Sequence, residues 1–168
     1  MTGEANVRLE LDDIQSGVVR PRPSPYAATY IVLRIDDRKA GRELMRRVGG
    51  VVTSAADPAS PLADTWVSVA LTYQGLKALG VPQDSLASFA WEFQQGMAAR
   101  AKELGDRGES GPENWEKPLG TSDVRVVLTA VSPDRQRLEA VLDRARKTLR
   151  APRVLPPATA PDLEDAGA

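Results

Sequence analysis

At 168 residues the chain has the size of one domain, and a chain of that length buries about 70% of its unfolded surface on folding. Apolar residues make up 42% and charged residues 27%, a soluble globular balance, and 22 basic against 23 acidic residues give a net charge of -1, which excludes a global field for nucleic acid or an anionic membrane. With no cysteine and no histidine, the sequence excludes disulfides, thiolate or imidazole metal ligands, a cysteine nucleophile and an imidazole base.

The opening MTGEANVRLELDD has neither the basic region nor the apolar run of a secretory signal. No apolar segment approaches the roughly 18 residues of a membrane span, so a cytoplasmic location is expected. Residues 1–25 read as an extended lead-in, polar at first and ending in Pro21, Pro23 and Pro25, which oppose regular helix. The run YAATYIVLRI, residues 26–35, is aromatic and β-branched; it reads as a strand with Ile31, Leu33 and Ile35 on one face and Tyr30, Val32 and Arg34 on the other. Asp36 or Asp37 then caps a helix in which Ala40, Leu44 and Val48 recur every four residues, until Gly49 and Gly50 stop it.

Val51 to Ala55 is a short β-like run, and Asp57 to Pro61 is a turn-rich break. Thr65 to Thr72 reads as a second strand, with Val67, Val69 and Leu71 opposite Trp66, Ser68 and Ala70. YQGLKAL forms a helix closed by Gly80, and a longer helix is expected from Asp84, with the stripe Leu86, Phe89, Phe93, Met97, Ala101 and Leu104. Residues 105–121 are rich in glycine and proline and read as a long loop. Ser122 to Val131 is a third strand whose buried face holds Val124, Val126, Leu128 and Ala130. Pro133 and Asp134 open a last helix with Leu138, Val141, Leu142, Ala145 and Leu149 on one side. Residues 151–168 hold four prolines and three acids and read as a disordered acidic tail.

The order strand, helix, strand, strand, helices, strand, helix fits an α+β domain over residues 26–150, a ferredoxin-like (split βαβ) antiparallel sheet with helices packed on one face. Such a sheet has one bare face. Exposed Tyr30, Val32, Trp66 and Ala70 there would favour a dimerisation or binding module that self-associates or docks on another domain.

Several segments carry a resemblance: DDIQSGVV at 12–19, YIVLRIDD at 30–37, VTSAAD at 52–57, WVSVALTYQGLKALGVPQDSLASFAWEFQQGMAARAKELGD at 66–106 and PENWEKPLGTSDVRVVLTA at 112–130. In this order, from Leu11 to Leu149, the chain resembles the N-terminal part of dye-decolourising (Dyp-type) haem peroxidases. The resemblance implies an enzyme of two ferredoxin-like domains that uses haem b and hydrogen peroxide to oxidise dyes and phenols. It also implies a proximal histidine on the iron, and a distal aspartate in a G-x-x-D-G motif aided by an arginine, all downstream of the matched region.

This chain has no histidine, and its nearest string to the distal motif, Gly120-Thr121-Ser122-Asp123, is followed by Val124 rather than glycine. No catalytic, cofactor-binding or metal-binding residue is therefore expected in it, and a truncated, inactive chain is the expectation, with docking to a missing haem domain as a possible role. Met45, Met97, Tyr26, Tyr30 and Tyr73 carry groups that can ligate haem, but each is read as packing, Met97 on its helix stripe. Trp66 is read as sheet packing, Trp91 as a helix or interface residue and Trp115 as an anchor of the long loop. The segment Asp12-Asp13-Ile14-Gln15 lacks a pocket and is read as docking the lead-in against the sheet; Arg46, Arg47 and the basic run from Arg144 to Arg150 are read as solvated helix faces.

Overall fold

The computed structural model describes residues 9–56 and 64–149. The turn-rich break from Asp57 to Pro61 and the 151–168 tail lie wholly outside the described residues. Three strands, β1 (Ala27–Leu33), β2 (Trp66–Leu71) and β3 (Val126–Ser132), form one sheet in the order β1-β3-β2. β3 runs antiparallel to both neighbours, pairing Ile31 with Leu128 on one side and Val69 with Leu128 on the other. β1 and β2 are thus parallel to each other with β3 inserted between them, the split βαβ arrangement of an α+β ferredoxin-like fold.

The connection from β1 to β2 carries α2 (Arg38–Gly49), and α7 (Arg135–Leu149) follows β3. Both lie on the same face of the sheet. Leu33, Ile35, Leu44, Val48, Val67, Val126, Leu128, Leu138 and Leu142 form the core between sheet and helices. The caps are those the sequence implied. The Asp37 carboxylate accepts from Ala40 N at 2.8 Å, and Asp134 accepts from Arg137 N at 2.8 Å. α2 buries Gly41 with Leu44 and Val48, whereas Ala40 is only half-buried, because its inward stripe is set one residue on from the expected start.

On its solvent side α2 carries Glu43, which holds both Arg46 and Arg47 at 2.8 Å and whose carboxyl is lowered to about 2 by those hydrogen bonds. A depressed carboxylate contributes stability that is present above its unfolded pKa and is lost as the pH falls through the folded value near 2. In the native protein at about pH 3, the Glu43 carboxyl carbon should still report an ionised group by NMR; a midpoint in the ordinary glutamate range would show that the arginine pair does not form in solution.

Elsewhere the chain departs from the sequence reading. Residues 51–55 form a turn rather than a strand, held to β2 by Thr53, whose N–H donates to Val67 O at 2.9 Å and whose Oγ1 accepts from Val67 N at 3.1 Å, with an isolated bridge between Gln15 and Ser54 beside it. β3 starts at Val126, not Ser122, because residues 118–123 are taken up in turns; Val124 lies outside the strand and is half-buried. The described part of the lead-in holds a 3-10 turn at Leu11–Asp13 and one helical turn, α1 (Ser16–Val19).

The largest difference concerns the helix expected from Asp84 to Leu104. It is broken into α4 (Gln83–Ala87), α5 (Trp91–Gln95), a 3-10 turn at Ala98–Arg100 and α6 (Ala101–Leu104). Ala90 is extended, and Gly96 has a φ of 78° that continues no helix. Of the expected stripe only Leu86 is buried; Phe89, Phe93 and Leu104 are exposed, and Met97 is 62% exposed instead of packed.

Candidate functional site

The junction between β2 and α3 (Tyr73–Ala78) is built around Thr72. Its hydroxyl donates to Val124 O at 2.8 Å and accepts from Gly75 N at 3.1 Å, and its own N–H donates to Arg125 O at 3.2 Å. This clamps the start of α3 onto the entry to β3 so tightly that a Cβ on Gly75 would lie 2.0 Å from the Arg125 carbonyl oxygen. A glycine is required at this point of closest approach, which gives the T-Y-x-G-L string its physical meaning.

The clamp sets one wall of a groove of about 650 Å³ that runs between α3, the 93–99 segment and the 115–124 loop. Tyr73 meets Phe93 edge to face at 6.2 Å, and Phe93 meets Phe89 at 5.1 Å. Trp115 closes the far side. Its indole N–H donates to Ser110 O at 2.8 Å, and Gly120 packs against its ring, so Trp115 anchors the loop as expected. Trp91 stands outside the groove, half-exposed, with the Arg100 guanidinium 5.2 Å from its ring centre.

A second hollow, of about 420 Å³, lies on the sheet face away from the core helices. α1 crosses one end of it. Gln15 lays its side-chain amide along the edge of β2, donating to Val69 O at 3.0 Å and accepting from Val69 N at 2.7 Å. Gly17 approaches so closely that a Cβ there would lie 2.5 Å from Ser68 Oγ and 3.3 Å from Trp66 Nε1. The face is therefore less bare than the sequence implied: Trp66 is 5% and Val32 6% exposed, Tyr30 is half-buried, and only Ala70 is open. Arg20 and Arg22 reach the rim of the hollow, Arg20 donating to Ala55 O and Arg22 to the Tyr26 hydroxyl.

The structure separates the remaining residues singled out in the sequence. Met45 packs against the core under α2. Tyr30 lines the sheet-face hollow and Tyr26 holds Arg22 at its rim, whereas Tyr73 and Met97 belong to the groove. Asp12 and Asp13 are exposed in the first 3-10 turn, and Asp123 sits in a turn 3.7 Å from Arg34, far from any acid–base partner. Among the described residues no group of acids is placed to hold a metal ion. Sequence reasoning missed Gly17 and Gly75, whereas Gln15 belongs to the 12–15 segment read as docking the lead-in against the sheet, and it does bind the edge of β2. For Gly75 the signal was present in the quoted segments, because an internal glycine in a helix start asks for a reason.

The residues of the two hollows do not fit haem. The groove offers a thioether and a phenol but no acid, no base and no cationic side chain for the propionates, while the sheet-face hollow has arginines already committed to protein oxygens and no soft or imidazole donor. No chemical step is derived through it.

What fold and site define is an α+β domain with one helix-covered face and one partly open face. The chain belongs to the family described as the DyP dimeric alpha+beta barrel domain, whose model matches residues 13–152. Its fold is that of solved dye-decolourising peroxidases. An ancestral D-type dye decolorizing peroxidase superposes with a TM-score of 0.71 at 24% identity, covering 89% of this chain and 34% of the other. DyP2 from Amycolatopsis sp. ATCC 39116 gives 0.70 at 21% identity, covering 87% and 31%, and a decolorizing peroxidase from Auricularia auricula-judae gives 0.68 at 17%, covering 88% and 32%. The chain thus spans about a third of the length of these peroxidases. No curated protein matches it. No helix among the described residues is long and apolar enough to cross a membrane.

Proposed function

We propose that this chain is the haem-free N-terminal domain of a dye-decolourising peroxidase, a truncated form that is inactive alone, and that peroxide-dependent oxidation of dyes and phenols with haem b belongs to the complete enzyme. The observation that carries the reading is a family match over residues 13–152 in a chain without a single histidine. A haem peroxidase needs an axial ligand and an acid–base group over the open face of the iron, and neither hollow provides the pair. Its contribution to a complete enzyme would be structural, as a preformed layer against which a haem-binding domain packs.

Purified chain mixed with hemin and hydrogen peroxide should oxidise dye no faster than free hemin and should give no stoichiometric Soret band. A one-to-one Soret band with dye turnover above that of free hemin would overturn the proposal. The truncation is tested separately in the coding DNA: in one of the three frames past the last codon, a G-x-x-D-G motif followed by a histidine-bearing segment is expected. A non-catalytic binding module is the second reading, favoured by the exposed ridge of Phe89, Trp91, Phe93 and Met97.

A further inference from the structure

With no cysteine in the chain, the thioethers of Met1, Met45 and Met97 are its readiest reductants toward peroxide. Met1 lies outside the described residues, and the other two stand in opposite settings. Met45 is half-buried against the core. Met97 is 62% exposed, more than Phe89, Trp91 or Phe93 on the same ridge. Its backbone holds it there. α5 ends at Gln95, Gly96 turns the chain with a φ of 78°, and Met97 caps the 3-10 turn that follows, its carbonyl accepting from Arg100 N at 3.0 Å. The side chain therefore has no helix stripe to join. Its neighbours Gly96, Ala98 and Ala99 are too short to shield the sulfur, and nothing lies within 4 Å of the place a Gly96 Cβ would take.

We propose that Met97 is a modification site, oxidised by hydrogen peroxide to the sulfoxide ahead of Met45, and that this change turns the lip of the aromatic groove polar. In the step a sulfur lone pair attacks one peroxide oxygen, and the S–O bond forms as the O–O bond breaks. The departing hydroxide takes the proton of the oxygen left on sulfur and becomes water. Sulfur gives up two electrons and the peroxide receives them. No acid, base or imidazole is needed, which suits a groove lined by no charged side chain.

A sulfoxide puts a polar, chiral group where a flexible apolar one stood. Since the groove has no charge to offer, its hold on an apolar molecule rests on Tyr73, Phe93, Met97, Trp115 and Leu119. Oxidation removes one of these surfaces, and methionine sulfoxide reductases restore it. The proposal is independent of the haem reading above, because peroxide alone is its oxidant and no hemin enters its test.

The purified chain is treated with hydrogen peroxide, and peptide mass spectrometry follows the gain of one oxygen at Met97 and at Met45 while circular dichroism is recorded alongside. Met97 should be oxidised several-fold faster than Met45 in the native protein, and the two should react alike in urea, where packing is gone. Equal native rates, or Met45 ahead, overturn the assignment. Circular dichroism lost in step with Met97 oxidation overturns it too, because an open thioether reacts without unfolding.

Nile red, a neutral apolar fluorophore, reads the groove. Its fluorescence with the native chain should fall as Met97 is oxidised and return on treatment with sulfoxide reductases of both stereospecificities. Met97→Leu should keep its fluorescence under the same peroxide, and Met45→Leu should lose it as the wild type does. A signal absent at the outset, one unchanged by Met97 oxidation, or a fall that persists in Met97→Leu overturns the effect on the groove.

Discussion

Gly75→Ala is expected to destabilise the fold by about 3 kcal/mol, lowering the melting temperature by roughly 6–12 °C for a chain of this length. In an isolated helix the same change would help, by about 1 kcal/mol. Here the added methyl would stand 2.0 Å from a backbone carbonyl oxygen, which cannot swing aside as a side-chain tip can. Arg125 O is also the acceptor for Thr72 N, and Thr72 Oγ1 is tied to both Gly75 N and Val124 O. Relief therefore requires α3 to lift from the entry to β3, with loss of its N-cap. Gly49→Ala is the control: nothing lies within 4 Å of a Cβ at that position and its φ is not positive, so its melting temperature should be unchanged or slightly raised. Equal melting temperatures for the two variants would sink the account of the junction.

The three strands and the two long helices were legible in the sequence because each carries two signals that agree. In β1 and β3, β-branched residues alternate with a period of two, and in α2 and α7 an aspartate cap precedes a four-residue recurrence. The segment from Asp84 to Leu104 has the recurrence without the agreement. Leu86, Phe89, Phe93, Met97, Ala101 and Leu104 are spaced as a helix face, but Gly96 takes a positive φ and Ala90 is extended, so no continuous face exists. Periodicity records which residues would share a side if a helix formed; it does not record whether a core awaits them. Phe89 and Phe93 found each other and Tyr73 instead, as the wall of an open groove.

The functional reading was more legible than its geometry. Absence of histidine needs no structure, and neither does a match of long segments in order. The bareness of the sheet face did need one. Alternation placed Val32 and Trp66 on the side away from the core helices correctly, but nothing in a strand pattern shows that α1 folds back across that side to cover the Trp66 end. Such a contact joins residues about 50 positions apart through one glycine and one amide, and single-sequence patterns carry no term for it.

That contact supplies the second large effect. Gln15→Ala is expected to cost about 2 kcal/mol, since it removes two hydrogen bonds and leaves Val69 N and Val69 O to imperfect solvation at a half-buried edge. Gln15→Glu is more diagnostic. A carboxylate accepts from Val69 N as the amide oxygen does, but it presents an oxygen to Val69 O where the amide presented a donor. Only the protonated acid can restore that second bond, so the folded state raises the pKa of the new carboxyl above its unfolded value. A raised pKa contributes stability that is fully present below the unfolded value and is lost as the pH rises through the folded one. The deficit of Gln15→Glu against wild type should therefore be small in mild acid and grow toward neutrality, while that of Gln15→Ala stays level across the same range. Urea unfolding of the three proteins side by side reads this directly, and a pH-independent deficit for Gln15→Glu would mean that the Gln15 amide does not close the β2 edge in solution.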